Sequence, residues 1–280
     1  DQVYGTVWLA SNGAIITAGH AASMEVSWSI EFNIKSSLSW GGNVASDPED
    51  IYVVDTASIV SVYTGLGNDW KVFRCFPNSI TGFLPHQAQN DFFRMTKEKP
   101  QERDVIRITG CGVDDDPPGY LGSHNNDNQT IQMDNGPYVG ESYINSNKVY
   151  HEYVVDTRSN NSGSPIIWMP SGYTIGIHTN GGCNPPTGNY GTSFENDGLE
   201  AALQNFHGPN TIYVDLIKSS TSEDGTIFYP FDTVSEGINA AVNGGQLFIT
   251  TGTYENNGNL IINKEISILP PACGMVVLNP

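Results

Sequence analysis

A serine hydroxyl becomes a useful acyl-transfer nucleophile only when a base removes its proton and hydrogen-bond donors meet the oxyanion that develops. The 280-residue sequence offers the parts of such a site in three separate segments, Thr17-Ala18-Gly19-His20, Gly67-Asn68-Asp69-Trp70 and Asn160-Asn161-Ser162-Gly163-Ser164-Pro165. The last reads as a tight turn entering a strand: Gly163 leaves space beside the Ser162 hydroxyl, and Pro165 stiffens the exit. The backbone N–H groups of Asn160 and Ser162 are then the expected oxyanion donors. His20 follows the apolar run Ala14-Ile15-Ile16, and Asp69 precedes another apolar run, so each is expected at a strand end. Ser162 is the candidate nucleophile, His20 the base and Asp69 the carboxylate that orients it.

The elements that must position these residues are short and β-rich. Val3–Leu9, Gly13–Ala18, Glu25–Ile34, Ser58–Thr64 and Trp70–Cys75 read as strands. A second set follows at Asp104–Gly110, Thr130–Asp134, Val149–Val155, Ser164–Trp168, Tyr173–His178 and Asn189–Phe194. Asn-Gly, Pro-Pro-Gly and Gly-Gly turns separate them. Many short strands with little helix predict barrels or sandwiches, and the polar stretch Met95–Arg103 divides the strands into two groups. The first helix is predicted within 197–206, where Leu199, Ala202, Leu203 and Phe206 form one apolar stripe behind an N-cap at Asp197.

The order His, Asp, Ser along the chain is that of the chymotrypsin-type arrangement. T-A-G-H, G-N-D-W-K-V-F and N-S-G-S-P resemble the three catalytic signatures of chymotrypsin-fold serine peptidases over residues 1–206. The resemblance implies two six-stranded antiparallel β-barrels, a late helix and a polypeptide substrate. It also implies a secreted endopeptidase with catalytic residues His20, Asp69 and Ser162. Gly176-Ile177-His178 and Thr157, five residues before Ser162, resemble the bacterial glutamyl endopeptidase branch. That likeness implies a primary pocket in which Thr157 and His178 meet an acidic side chain, a role that suits hydrogen-bond donors.

The sequence departs from the family in three places. Asn160 occupies an oxyanion-hole position that most members fill with glycine, and asparagine tolerates left-handed backbone better than most residues. Asn161 replaces the aspartate that pairs with a new N-terminus in zymogen-activated relatives. Only 19 residues precede His20, fewer than the family's first barrel uses, so one strand is expected to be missing or supplied by another segment.

Residues 212–280 follow a different pattern. Thr233 and Glu236 form a capping box, with Val234, Ile238, Ala241 and Val242 as the helical stripe behind it. Gly244-Gly245 ends that helix, and strand-like runs follow at Gln246–Thr250 and Asn259–Leu269. In the second, apolar residues alternate about Asn263-Lys264. Gly225-Thr226, Pro230-Phe231, Thr233-Val234, the run from Glu236 to Ala241 and Gly252-Thr253-Tyr254 resemble the capped start of a right-handed parallel β-helix of the pectate-lyase-like type. One or two coils are too few to bury a core alone, so this unit is expected to dock on the first or continue into a longer β-helix.

Composition narrows the field. A formal charge of −18, from 12 Lys+Arg against 30 Asp+Glu, argues against nucleic acid as a partner. No run is long and apolar enough to span a membrane. The four cysteines, Cys75, Cys111, Cys183 and Cys273, show no metal or redox spacing and are compatible with two disulfides or with free thiols. No signal peptide is visible, and the strand-like opening reads as a processed or trimmed start. Neither cofactor nor metal is expected, and the acidic runs Asp47–Asp50 and Asp114–Asp116 read as solvated loops. His151-Glu152 lacks the second histidine of a zinc-binding helix, and Gly65-Leu66-Gly67 lacks the third glycine of a dinucleotide loop. Two other functions fit the residues: a catalytically impaired homologue in a surface-binding or adhesive protein, and a polysaccharide-active enzyme whose β-helix is cut short.

Overall fold

The computed structural model describes residues 5–21, 28–89, 91–114, 127–182, 188–217, 222–255, 260–269 and 274–279. It is mainly β. The first half is a five-stranded antiparallel sheet of β1 (Trp8–Leu9), β2 (Ile15–Thr17), β3 (Ser29–Glu31), β4 (Ile51–Tyr63) and β5 (Asp69–Cys75), in the order β1-β2-β5-β4-β3. One apolar set, Leu9, Ile15, Ile30, Tyr52, Val54 and Phe73, fills its concave side. A short helix, α1 (Pro85–Ala88), leads from it into the connecting segment.

The second half closes completely. Strands β6 (Val105–Gly110), β7 (Gln132–Asn145), β8 (Lys148–Tyr153), β9 (Pro165–Trp168), β10 (Tyr173–Asn180) and β11 (Asn189–Ser193) form a closed barrel in the order β10-β11-β8-β7-β6-β9. Ile106, Ile108, Tyr138, Tyr153, Ile166 and Ile175 pack its interior.

The expectation of two six-stranded barrels is therefore corrected for the first half. Among the described residues that sheet has five strands, and its edge strands β1 and β3 are not paired with each other. Closure of an antiparallel sheet requires the two meeting edges to run in opposite directions, and five alternating strands leave them running the same way.

Two other local expectations change. The Asn135-Gly136 pair, which looked like a turn, lies inside β7, where Asn135 pairs with Arg107 and Gly136 with Ile106. A side chain at Gly136 would collide with the Val154 carbonyl, so glycine there serves close strand approach rather than chain reversal. Helix α2 (Asp197–Gln204) is capped by Asn196, whose Oδ1 accepts from Leu199 N at 3.0 Å; Asp197 sits in the first turn, facing the helix dipole favourably.

Beyond α2 the strands are parallel. β12 (Thr211–Val214), β13 (Gly245–Ile249) and β15 (Ile266–Leu269) stack in register through Ile212, Leu247 and Ile268, and β14 (Gly252–Glu255) pairs with β16 (Val276–Asn279). Helix α3 (Val234–Ala240) begins at Thr233, whose Oγ1 accepts from Glu236 N at 3.3 Å. It packs Val234 and Ile238 against Val214, Leu247 and Ile249. The second predicted run is shorter than expected, starting only at Ile266. Lys264 turns away to donate to the carbonyls of Asn239 and Ala241 at the end of α3, 3.0 and 2.7 Å away.

One core crosses all three parts. Trp8 and Trp70 of the sheet, Ile177 of the barrel, Leu199 and Leu203 of α2, and Tyr213, Phe228 and Phe248 of the C-terminal segment belong to a single buried cluster. Arg94 pairs with Asp215 at 2.8 Å across the same junction. No helix among the described residues is long and apolar enough to cross a membrane.

Candidate active site

The open sheet presents His20 and Asp69, and the barrel presents Ser162. Asp69 opens β5, directly after Gly67 and Asn68 leave the turn from β4. Its Oδ2 lies 2.6 Å from His20 Nδ1, and its Oδ1 accepts from the His20 backbone N at 2.9 Å. His20 Nε2 lies 2.9 Å from Ser162 Oγ. The carboxylate is buried, with 2% of its side-chain surface exposed, while the imidazole keeps 31% open to solvent. With Nδ1–H donating to the carboxylate, Nε2 is left as the acceptor for the serine proton.

Glycine at position 19 permits this approach. A Cβ there would sit 2.1 Å from the Val62 carbonyl and 2.9 Å from Trp70 N. The serine loop is built with equal economy. Asn160 adopts φ 72°, the left-handed region its residue type tolerates, and Gly163 adopts φ 97°. A Cβ on Gly163 would meet the Thr6 carbonyl at 2.1 Å and Thr17 Oγ1 at 2.2 Å. Among the described residues, the N–H groups of Asn160 and Ser162 have no acceptor, so both are free to receive one.

Several residues that hold this geometry were not singled out in the sequence. Thr6 N donates to the Ser162 carbonyl at 2.8 Å, Thr6 Oγ1 donates to the Asn160 carbonyl at 3.1 Å, and Trp8 Nε1 donates to the Gly163 carbonyl at 3.0 Å. The first strand of the sheet thus grips the serine loop of the barrel. Thr192 of β11 grips in the other direction: its Oγ1 accepts from Asp69 N at 3.2 Å and donates to Asp69 O at 3.1 Å. Asn196, besides capping α2, donates to the Gly67 carbonyl at 2.9 Å and so fixes the turn before Asp69. Threonine in strands is common, and nothing local marks these two; Asn196 carried only the signal of a polar residue before a helix.

Thr157 and His178 lie beside the serine loop and both are buried. His178 brackets the loop through its backbone: Gly163 N donates to His178 O, and His178 N donates to Ser164 O, each at 2.8 Å. Burial, reinforced by the charge of His20, pushes its pKa down to about 3. The ring is therefore neutral near pH 7. Its Nδ1 lies 2.6 Å from the Tyr153 hydroxyl, and burial holds that phenol protonated. With the Tyr153 hydroxyl donating to Nδ1, the neutral His178 ring carries its proton on Nε2. Thr157 Oγ1 donates to Asn189 Oδ1 at 3.0 Å, so its hydroxyl proton is already engaged.

Elsewhere, His151 is a satisfied core residue between the Tyr138 hydroxyl and the Ile175 carbonyl, each 3.0 Å away. Cys75 and Cys111 are free thiols, and Cys183 and Cys273 lie outside the described residues. Asp47 pairs with Lys35, and Asp50 accepts from Asn33. Asp115 and Asp116 lie outside the described residues.

No family model matches the sequence, and no curated protein is detectably similar to it. Among solved structures, a thermostable serine protease AL20 from an extremophilic microorganism is similar at 12% identity and TM-score 0.46, over 67% of this chain and 82% of the other. The Rv3671c protease in its inactive form is similar at 11% identity and TM-score 0.44, over 70% of this chain and 82% of the other.

Proposed function

We propose that the chain is a secreted serine endopeptidase. The single observation that carries this reading is the continuous hydrogen-bonded line from Asp69 through His20 to Ser162, 2.6 and 2.9 Å long. In the reaction, Ser162 Oγ attacks the scissile carbonyl carbon as His20 Nε2 takes its proton. Asp69 stabilises the imidazolium, and the N–H groups of Asn160 and Ser162 receive the oxyanion. His20 then protonates the leaving amine, and an acyl-enzyme remains. Water, deprotonated by His20, attacks that ester; the second tetrahedral intermediate collapses, and the proton returns to Ser162. The left-handed backbone of Asn160 supports an intact oxyanion hole despite the missing glycine.

Within this reading the primary pocket favours Glu or Asp. The support is His178, whose Nε2–H has no acceptor among the described residues. A neutral donor discriminates less than a cation, and the hydroxyl of Thr157 is already committed to Asn189. The preference for a Glu over a matched Gln substrate is therefore expected at about tenfold or less, roughly the difference between a charge-assisted and a neutral hydrogen bond. It should shrink as pH falls through the range in which the substrate carboxyl takes up its proton, because a neutral Glu then offers no charge that Gln lacks. Equal kcat/KM for Glu and Gln substrates at every pH would defeat the pocket assignment and leave the triad intact.

We read residues 212–280 as the capped start of a parallel β-helix and residues 1–206 as the peptidase unit. The in-register parallel strands under α3 support the first statement. The decisive test of the activity is Ser162→Ala. Hydrolysis of an unfolded protein substrate should fall by at least about a thousandfold with the melting temperature preserved; full activity in the folded variant would overturn the assignment.

A further inference from the structure

Two histidines of the closed barrel are held by tyrosines in the same way. The Tyr138 hydroxyl lies 3.0 Å from His151 Nδ1, and the Tyr153 hydroxyl lies 2.6 Å from His178 Nδ1. Strand register explains the likeness. His178 stands opposite Gly191 and Gly191 opposite His151, so both imidazoles project from the same face of the sheet. Tyr153, two residues on from His151, lies on that face as well, and it pairs directly with Tyr138 across β7 and β8. All four side chains are buried.

The two pairs differ at the far nitrogen. His151 Nε2 lies 3.0 Å from the Ile175 carbonyl, so that ring is satisfied at both nitrogens. His178 Nε2 meets no acceptor among the described residues. A neutral imidazole whose Nδ1 accepts from a phenol carries its proton on Nε2. His178 therefore holds a donor with nothing to donate to, beside the serine loop that its own backbone brackets. An unmade donor is costly in a protein interior, and His151 shows that the same barrel can satisfy one.

We propose that Tyr153 is the positioning residue of the primary pocket, and that this pocket selects side chains ending in a hydrogen-bond acceptor, carboxamide as well as carboxylate, given the peptidase reading above with His178 as its pocket residue. The Tyr153 phenol does two things for His178. By donating to Nδ1 it fixes the ring proton on Nε2, and by anchoring one edge of the ring it fixes where that N–H points. Burial keeps the phenol protonated, and burial with His20 nearby keeps the imidazole neutral near pH 7. A neutral N–H can take the side-chain carbonyl of Gln in the geometry in which it takes a carboxylate oxygen of Glu. The charge of Glu strengthens that bond without being required for it. Met is similar in length but has only a weak acceptor, so it leaves the Nε2–H desolvated and unpaired.

The test compares matched peptide substrates with Glu, Gln or Met before the scissile bond, using the full chain, and adds a long-range nitrogen–proton spectrum of its histidines. The unaltered chain should cleave the Gln substrate with roughly ten to a hundred times the kcat/KM of the Met substrate, the effect of one buried donor left unpaired. At pH 7 His178 should appear as the neutral Nε2–H tautomer with a hydrogen-bonded Nδ1. Tyr153→Phe should lose that Nδ1 signature and shrink the Gln-to-Met ratio to about threefold or less. Tyr138→Phe removes the matching hydroxyl from the twin pair. It should lower the melting temperature comparably and leave the ratio unchanged. If Tyr153→Phe does not fold, the spectrum and the Gln-to-Met ratio of the unaltered chain decide alone. A His178 ring protonated on Nδ1, or equal shrinkage of the ratio in both variants, overturns the proposal. So does a Gln-to-Met ratio near one alongside efficient cleavage after Glu, which leaves the acidic pocket standing. Absence of cleavage of all three substrates overturns the peptidase reading and this proposal with it.

Discussion

The closed barrel and the open sheet share a strand style but hold their catalytic candidates differently. The barrel satisfies every edge internally and offers Ser162 on a loop whose Asn160, Ser162 and Gly163 carbonyls are anchored from the sheet. The sheet leaves its two edges unjoined, with β1 bridged by Phe93 alone among the described residues, yet it carries His20 and Asp69, whose mutual distance of 2.6 Å demands the tighter tolerance. The difference is reconciled by contacts between the halves. Thr6 and Trp8 hold the serine loop from the sheet, and Thr192 holds Asp69 from the barrel. The site is precise because each half is clamped by the other, not because each is rigid alone.

Removing one clamp breaks the comparison most sharply. Thr192→Val deletes a buried hydroxyl that serves both backbone groups of Asp69. Two unsatisfied groups cost roughly 2–4 kcal/mol of stability. Displacement of the carboxylate should also lower kcat/KM by at least about tenfold, and Thr192→Ser should restore most of it. Chemical denaturation and steady-state kinetics on both variants check this. Unchanged kinetics in a destabilised Thr192→Val protein would mean that Asp69 is held by the sheet alone.

These clamps mark the limit of what the sequence made legible. His20, Asp69 and Ser162 announce themselves because each lies in a short segment whose glycines, apolar flank and turn residues are local features. The barrel strands were legible from their Val, Ile and Tyr content, apart from the stretch of β7 beyond Asn135-Gly136. There the need for close strand packing overrode a strong turn signal. The partnership of Thr192 with Asp69 spans 123 positions, and that of Thr6 with Asn160 spans 154. No periodicity encodes such pairs; only the packing of two halves creates them. For the sheet, the count of six came from the family resemblance, and the expectation that one strand is missing stood beside it; closure itself is a property of the whole sheet.

A smaller effect separates the halves by their response to acid. Burial pushes His178 in the barrel down to about 3, and burial with His207 and Arg74 nearby pushes His86, against Gly13 of the sheet, down to about 4. Each is neutral when folded and charged when unfolded between these values and about 6.5. The unfolded chain binds more protons in that window, so stability rises with pH through it and is lost as pH falls. The slope is at most about 1.4 kcal/mol per pH unit for each histidine. Above pH 7 these groups contribute no slope. Amide exchange at pH 4–5 should show the sheet, whose edges do not close on each other, opening before the barrel, since the two histidines cost nearly the same in that window; the reverse order would show that the lower value of His178 in the barrel dominates.

The central claim is that Ser162 is activated by His20 and Asp69 across the junction. It is tested most directly by reacting the intact chain with a fluorophosphonate probe and mapping the modified peptide. The account predicts one labelled residue, Ser162, with labelling abolished in His20→Ala while the fold is retained. Labelling of a different serine, or a folded chain that leaves Ser162 unmodified, would contradict it.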